Sequence, residues 1–202
     1  MATSTNPAHR ITNAITTRTT TRQHTALAGA SVASLAIANG ILNASYEASN
    51  HPVSYAEGQL AFNGDTIKGY YAHMSELGTL DTYVTTQLID FGFIAAMICI
   101  GLFFATRIAR MLTGTRAASA AAWASTLFVV GASFDAIENL ISFVMLANPT
   151  GFADAIALPY STMAALKFLA IAAAAFLTLG AGAAAAARKI SGIVGRARSL
   201  AI

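Results

Sequence analysis

The sequence predicts an all-α fold, a polytopic transmembrane four-helix bundle with both termini cytoplasmic. Three observations carry this expectation. Of 202 residues, 55% are hydrophobic and only 10% are charged, whereas about a quarter are charged in an ordinary soluble domain. Mean hydropathy is +0.58, and the apolar residues are gathered into four long runs with few charges. Outside those runs, basic and acidic residues fall into alternate segments. The net charge of +3 is not a nucleic-acid signal, because a membrane protein is basic on one side only.

A spanning helix needs roughly 20 mostly apolar residues. Residues 26–44, 87–106, 121–146 and 159–187 qualify, and together they delimit a transmembrane domain over 26–187. Helices are expected because lipid offers no partner for backbone polar groups. A barrel would need short alternating strands, and these runs are continuously apolar. The last two are long enough to tilt.

Orientation follows from charge. Ten of the twelve basic residues lie in the N-terminal segment, between spans two and three, or after span four. The segment between spans one and two holds Lys68 and five acids; that between spans three and four holds only Asp154. The positive-inside rule makes both termini cytoplasmic and the acidic segments external. The chain is expected in the cell membrane as a multi-pass protein, with the bilayer as its partner and no nucleic acid.

Residues 1–25 read as a disordered basic cytoplasmic tail, Thr-rich and too polar to bury a core. Their arginines set topology; contact with anionic headgroups is the alternative. An acid-free N-terminus also suits a transit peptide, and span one could be a cleaved signal. A retained signal anchor is the reading taken. Residues 188–202 read as a second basic cytoplasmic tail.

The outer loop, about 46–82, carries turn chemistry at Asn50–Pro52 and Asn63–Asp65. After Asp65, a candidate N-cap, Ile67, Tyr70, Tyr71, Met74 and Leu77 recur at helical spacing, and Gly78 could end the helix. A short amphipathic helix is expected, lying on the membrane surface or capping the bundle. A substrate-gating lid is the functional alternative. In span one, Gly29, Ala33, Ala36 and Gly40 form a small-residue ridge of the kind that lets membrane helices approach closely. An intrachain contact is expected there, with a homodimer left open.

Four charged residues lie within spans: Asp90, Asp135, Glu138 and Lys167. Each costs about 2.5–3.5 kcal/mol at the bilayer centre on insertion scales, so they should face one another or a wet cavity. At 1.5 Å per residue, Asp90 sits roughly 10 Å outside the middle of its span, and Glu138 and Lys167 roughly 7 Å. Asn39 and Asn139 fall at similar depths. Asp135 and Glu138, three apart, share a helix face. Three carboxylates against one ammonium leave the group formally −2.

The run Gln87-Leu-Ile-Asp90-Phe91, then Phe134-Asp135-Ala-Ile-Glu138-Asn139, then Leu166-Lys167-Phe168 resembles a group of small, uncharacterised four-span bacterial membrane proteins. The resemblance covers about residues 70–180, and Asp-x-x-Glu-Asn is its most specific element. It implies an architecture and points to these polar positions. It implies no activity.

The candidate ligand-binding set is therefore Asp90, Asp135, Glu138, Asn139, Lys167 and Asn39, around an outward-facing cavity. It could take a small ligand, a lipid headgroup or a cation. Alternatives are an enzyme on lipid-like substrates, with Glu138 or Asp135 as general acid/base and Lys167 as electrostatic stabiliser, and a network that only fixes helix register. No metal or cofactor is expected. Cys99 has no partner for dithiol chemistry. His9, His24, His51 and His73 lack zinc spacing and are expected to be solvated. Ser133 has no intramembrane histidine as base and reads as packing. Phe103, Phe104, Phe128, Phe143 and Phe176 read as packing or lipid-facing groups.

Overall fold

The computed structural model describes residues 7–199. It is all-helical, with no strand among the described residues. Its helices are α1 (Pro7–Arg18), α2 (Thr21–Ala48), α3 (Tyr55–Gln59), α4 (Gly64–Glu76), α5 (Leu80–Cys99), α6 (Thr106–Met111), α7 (Arg116–Leu146) and α8 (Ala157–Ser199). A π-helical turn, Ile100–Ala105, joins α5 to α6, and a short 3-10 turn, Asp154–Ile156, leads into α8. Four stretches are long and apolar enough to cross a membrane: Thr21–Ala48, Leu80–Met111, Arg116–Leu146 and Asp154–Ile193.

These stretches contain the four expected spans and run past most of their ends. The N-terminal segment departs further from expectation. Instead of a disordered tail, residues 7–18 form α1, and α2 begins at Thr21. Thr12, Thr16 and Thr17 donate their hydroxyls to carbonyls three or four residues back, so threonine serves the helix. Ala8 and Thr12 are buried, and α1 packs on α6 and α7. Thr20 and Gln23 then cap α2 reciprocally, satisfying two amides at the helix start. Residues 1–6 and 200–202 of the two expected tails lie outside the described residues.

Packing is tightest where glycine is needed. A Cβ at Gly101 would stand 2.8 Å from the Ser125 carbonyl oxygen, and one at Gly131 would stand 2.9 Å from Ile171 Cγ1. The π-turn therefore touches α7, and α7 touches α8, almost backbone to side chain. Along α8, Ala164, Ala170, Ala174, Ala181 and Ala185 are buried at helical spacing. The span-one ridge behaves differently. Gly29, Ala33, Ala36 and Gly40 are exposed, and α2 packs through His24, Ala28, Ser31 and Leu42 instead. The ridge is not an intrachain contact: it lies on the open side of α2, together with Val32 and Ile37, which are also exposed.

The segment between α2 and α5 folds onto the helices. Asn63, two residues before the expected cap, accepts from Thr66 N and starts α4. Gly78, at φ 70°, follows its last turn, a conformation glycine adopts without cost. Ile67, Tyr71 and Met74 are buried in one cluster with Tyr83, Met145 and Tyr160, so α4 caps the helices from that end. Leu77, expected on that face, is exposed. Lys68 pairs with Asp154, and Phe62 N donates to Ser161 Oγ at 3.0 Å, fastening the segment to α8.

Candidate functional site

Three helices bring the charged residues together. On α7, Asp135, Glu138, Asn139 and Ser142 follow 3, 4 and 7 spacing and share a face. On α5, Gln87 and Asp90 are three apart. On α8, Lys167 lies in the stripe of buried alanines. All four charged side chains are closed off, with 0–2% of their surface exposed.

Lys167 Nζ donates to Asp135 Oδ1 at 2.5 Å and to Glu138 Oε2. Asn139 Nδ2 donates to Asp90 Oδ2 at 2.8 Å. Gln87 Nε2 donates to Ser142 Oγ at 2.6 Å. The Asn139 orientation follows from its carboxylate acceptor, while the Ser142 hydroxyl can serve either end of the Gln87 amide. The amide oxygens of Gln87 and Asn139 are left without donors, as is Glu138 Oε1. Buried polar atoms are nearly always paired, so three orphan oxygens on neighbouring residues mark an incomplete site.

The segment between α2 and α5 supplies the cover. Tyr55 of α3 donates its hydroxyl to Asp90 Oδ2 at 3.0 Å, and its ring lies 5.7 Å from Lys167 Nζ. Burial, and then the Asp90 carboxylate, push the Tyr55 phenol well above its ordinary range, so it stays a donor. Gln59, one turn further along α3, is buried with neither amide atom paired. Behind α3, His51 sits among Tyr46, Tyr70 and Tyr83, at ring-centre distances of 5.2, 5.1 and 5.3 Å. A Cβ at Gly58 would stand 2.7 Å from His51 Cε1, so this packing needs glycine. Burial pushes the His51 imidazole down to about 4, against a weaker opposing effect of its contact with the Val53 carbonyl.

Five of the six expected site residues thus meet: Asp90, Asp135, Glu138, Asn139 and Lys167. Asn39 does not. It is exposed on α2, because equal depth along a helix says nothing of which way a side chain turns. The contribution of α2 at this level is Ser45, whose hydroxyl lies 2.7 Å from that of Thr86. Sequence reasoning missed Tyr55, Gln59, Gln87 and Ser142 as members. The last two carried a signal, being polar residues one turn from Asp90 and Glu138. Ser133 is exposed and donates to the Val129 carbonyl, away from Lys167.

No family model, no curated protein and no solved structure matches this chain. The site is therefore read from its chemistry. Its formal charge is −2, and three of its orphan atoms are acceptors on or beside carboxylates. Such a compartment favours a ligand that brings donors or positive charge. Among the described residues, no three His, Cys, Asp or Glu side chains are arranged to hold a metal ion.

A second buried polar group lies toward the chain termini. His24, expected to be solvated, is fully buried. Its Nε2 is 3.0 Å from Thr106 Oγ1 and 3.1 Å from the Phe103 carbonyl. Thr106 donates its own proton to the Leu102 carbonyl, so Nε2 carries the imidazole proton. Helix α2 begins five residues earlier than the apolar run, which draws His24 inside. The Phe103 carbonyl, which also accepts from Thr106 N at the end of the π-turn, receives it with its second lone pair. His51 is half-buried and His73 exposed; His9 side-chain placement is outside the described set.

Proposed function

We propose that this is a multi-pass cell-membrane protein, both termini cytoplasmic, that binds a small cation in the polar compartment between α5, α7 and α8. The outer face is the side of entry, past α3. The observation that carries this reading is the set of donor-less oxygens of Glu138, Asn139 and Gln87, fully buried beside excess negative charge. Lys167 already fills the position between Asp135 and Glu138. An incoming cation would be met by Asp90, Glu138 Oε1 and the two amide oxygens, with Tyr55 and Gln59 as the cover that moves aside.

The test is thermal unfolding of the purified chain in detergent, with Na⁺, K⁺ and tetramethylammonium added at constant ionic strength against N-methylglucamine. A ligand at a hundred times its Kd stabilises by about 2.7 kcal/mol, a rise of several degrees. A saturable rise with one cation, absent in Asp90→Asn and Glu138→Gln, is expected. Identical curves with every cation would sink the reading.

A second reading has its own support. Lys167 is paired twice and fully buried, as a network holding helix register would be. On that reading, Glu138→Gln with Lys167→Met folds and functions as the parent does, and no cation shifts the transition.

A further inference from the structure

The end of the molecule that carries the termini has ten basic residues and no acid. All nine acids fall within residues 47–90 or 135–154. Among the described residues only Lys68 and Lys167 form ion pairs, so Arg107, Arg110 and Arg116 have no carboxylate partner there. One of them stands at the head of an apolar groove. The groove, of about 510 Å³, runs between α2 and the π-turn with α6. Gly29, Val32, Phe104 and Ile108 wall it, with Thr25, Arg107 and Met111 toward its terminal end. Arg107 Nε donates to Thr25 Oγ1 at 2.9 Å, which holds the guanidinium in place. Its two terminal nitrogens have no protein acceptor among the described residues. From Thr25 to Val32 the groove extends roughly 10 Å along α2, about two-thirds of one leaflet's hydrocarbon depth.

We propose that this groove binds one anionic phospholipid, with its phosphate on Arg107 and an acyl chain against Gly29, Val32, Phe104 and Ile108. A guanidinium fork takes two phosphate oxygens at once, and an apolar trough beneath it suits a chain and no soluble anion. Arg107 selects an anionic headgroup over a zwitterionic one, because a zwitterionic headgroup brings its own cation beside the phosphate and weakens the pairing with the guanidinium. The proposal rests on the chain being a membrane protein, and is independent of the cation compartment.

Native mass spectrometry of the full chain in detergent tests it, with phosphatidylglycerol and phosphatidylcholine added separately. Retention of phosphatidylglycerol about tenfold above phosphatidylcholine is expected, a difference within the reach of one charge-assisted contact. Arg107→Gln should abolish the preference. Gly29→Phe should lower retention of both lipids, and nothing lies within 4 Å of a Cβ there, so the ring has room to fold into the groove. Arg110→Gln is the control. Its Nη1 donates to the Thr19 carbonyl, outside the groove, and the preference should survive. Equal loss with Arg110→Gln would mean a diffuse basic surface and overturn the site. Displacement of the lipid by millimolar glycerol phosphate would mean a free-phosphate site and also overturn it. Unchanged retention in Arg107→Gln and Gly29→Phe would do the same. The assay does not depend on which way the chain is inserted, so its failure leaves topology untouched.

Discussion

Among the described residues, Lys167 is the only cation beside the three buried carboxylates, and its single nitrogen serves two of them. Replacing it by Met leaves Asp135 and Glu138 buried without a counter-charge, which costs about 3–5 kcal/mol when a buried pair is broken. Reversible unfolding in mixed micelles should show that loss, and adding Glu138→Gln should restore a large part of it. An unchanged midpoint in Lys167→Met would mean that the ammonium does not support its partners. At this scale the sequence was legible to the extent that cost made it so. A charge inside an apolar run must find a partner, and Asp90, Asp135, Glu138 and Lys167 were visible for that reason. Asn39 was misplaced because an amide pays less for exposure, and the azimuth of a helix cannot be counted off as its depth can. His24 was missed because it precedes the apolar run, while the backbone that buries it is helical well before that run begins.

Helix α3 and its neighbours form the element most open to change by pH. Packed against His51 are Tyr46 of α2, Tyr70 of α4 and Tyr83 of α5, with the Val53 carbonyl as its polar contact and His73 as its nearest like charge. Its value of about 4 in the fold lies below the 6.5 of the free side chain. A base depressed in this way adds stability above the unfolded value, and that stability is lost as pH falls from 6.5 towards 4. At pH 5 the loss is about 2 kcal/mol. Limited proteolysis at the α3 segment should therefore quicken between pH 7 and pH 5, and His51→Phe should flatten that dependence. If cleavage of the parent chain is equally fast at both pH values, His51 does not hold the segment. Helix interfaces offer a second check. Gly101→Leu and Gly131→Leu force side chains into occupied space and should cost about 1–3 kcal/mol by overpacking, whereas Gly40→Ala, with open space around it, should be neutral in thermal unfolding. From sequence, α4 could be found by its periodicity. The helix at 55–59 was harder to find: Ser54 and Glu57 give it an N-terminal signature, but five residues are too few to show a period, and contacts to α2, α5 and α8 hold them.

Across the whole molecule, charge and hydropathy fixed four long helices, because these follow from bulk solvation and need no knowledge of packing. Which helix faces which depended on Gly101, Gly131 and the alanines of α8, and one small-residue run looks like another until neighbours are known. The orientation inferred from the arginines can be checked with single cysteines in a Cys99→Ala background. Thr113→Cys and Ser191→Cys should react with a membrane-impermeant maleimide only after permeabilisation, and Asp65→Cys should react in intact cells. Labelling in the opposite sense would reverse the topology and place the polar compartment at the inner leaflet.

The π-turn between Cys99 and Thr106 adds about one residue to what would otherwise be a continuous helix. One residue is 100° of rotation. Deleting a residue there, with return to regular α-helix, would leave both halves of the span intact but turn Asp90 about a quarter revolution relative to Arg107. The compartment and the arginine-headed groove would no longer both face their own helices. The wide turn thus acts as a phase setting, letting one rod present two differently aimed faces at two levels of the molecule.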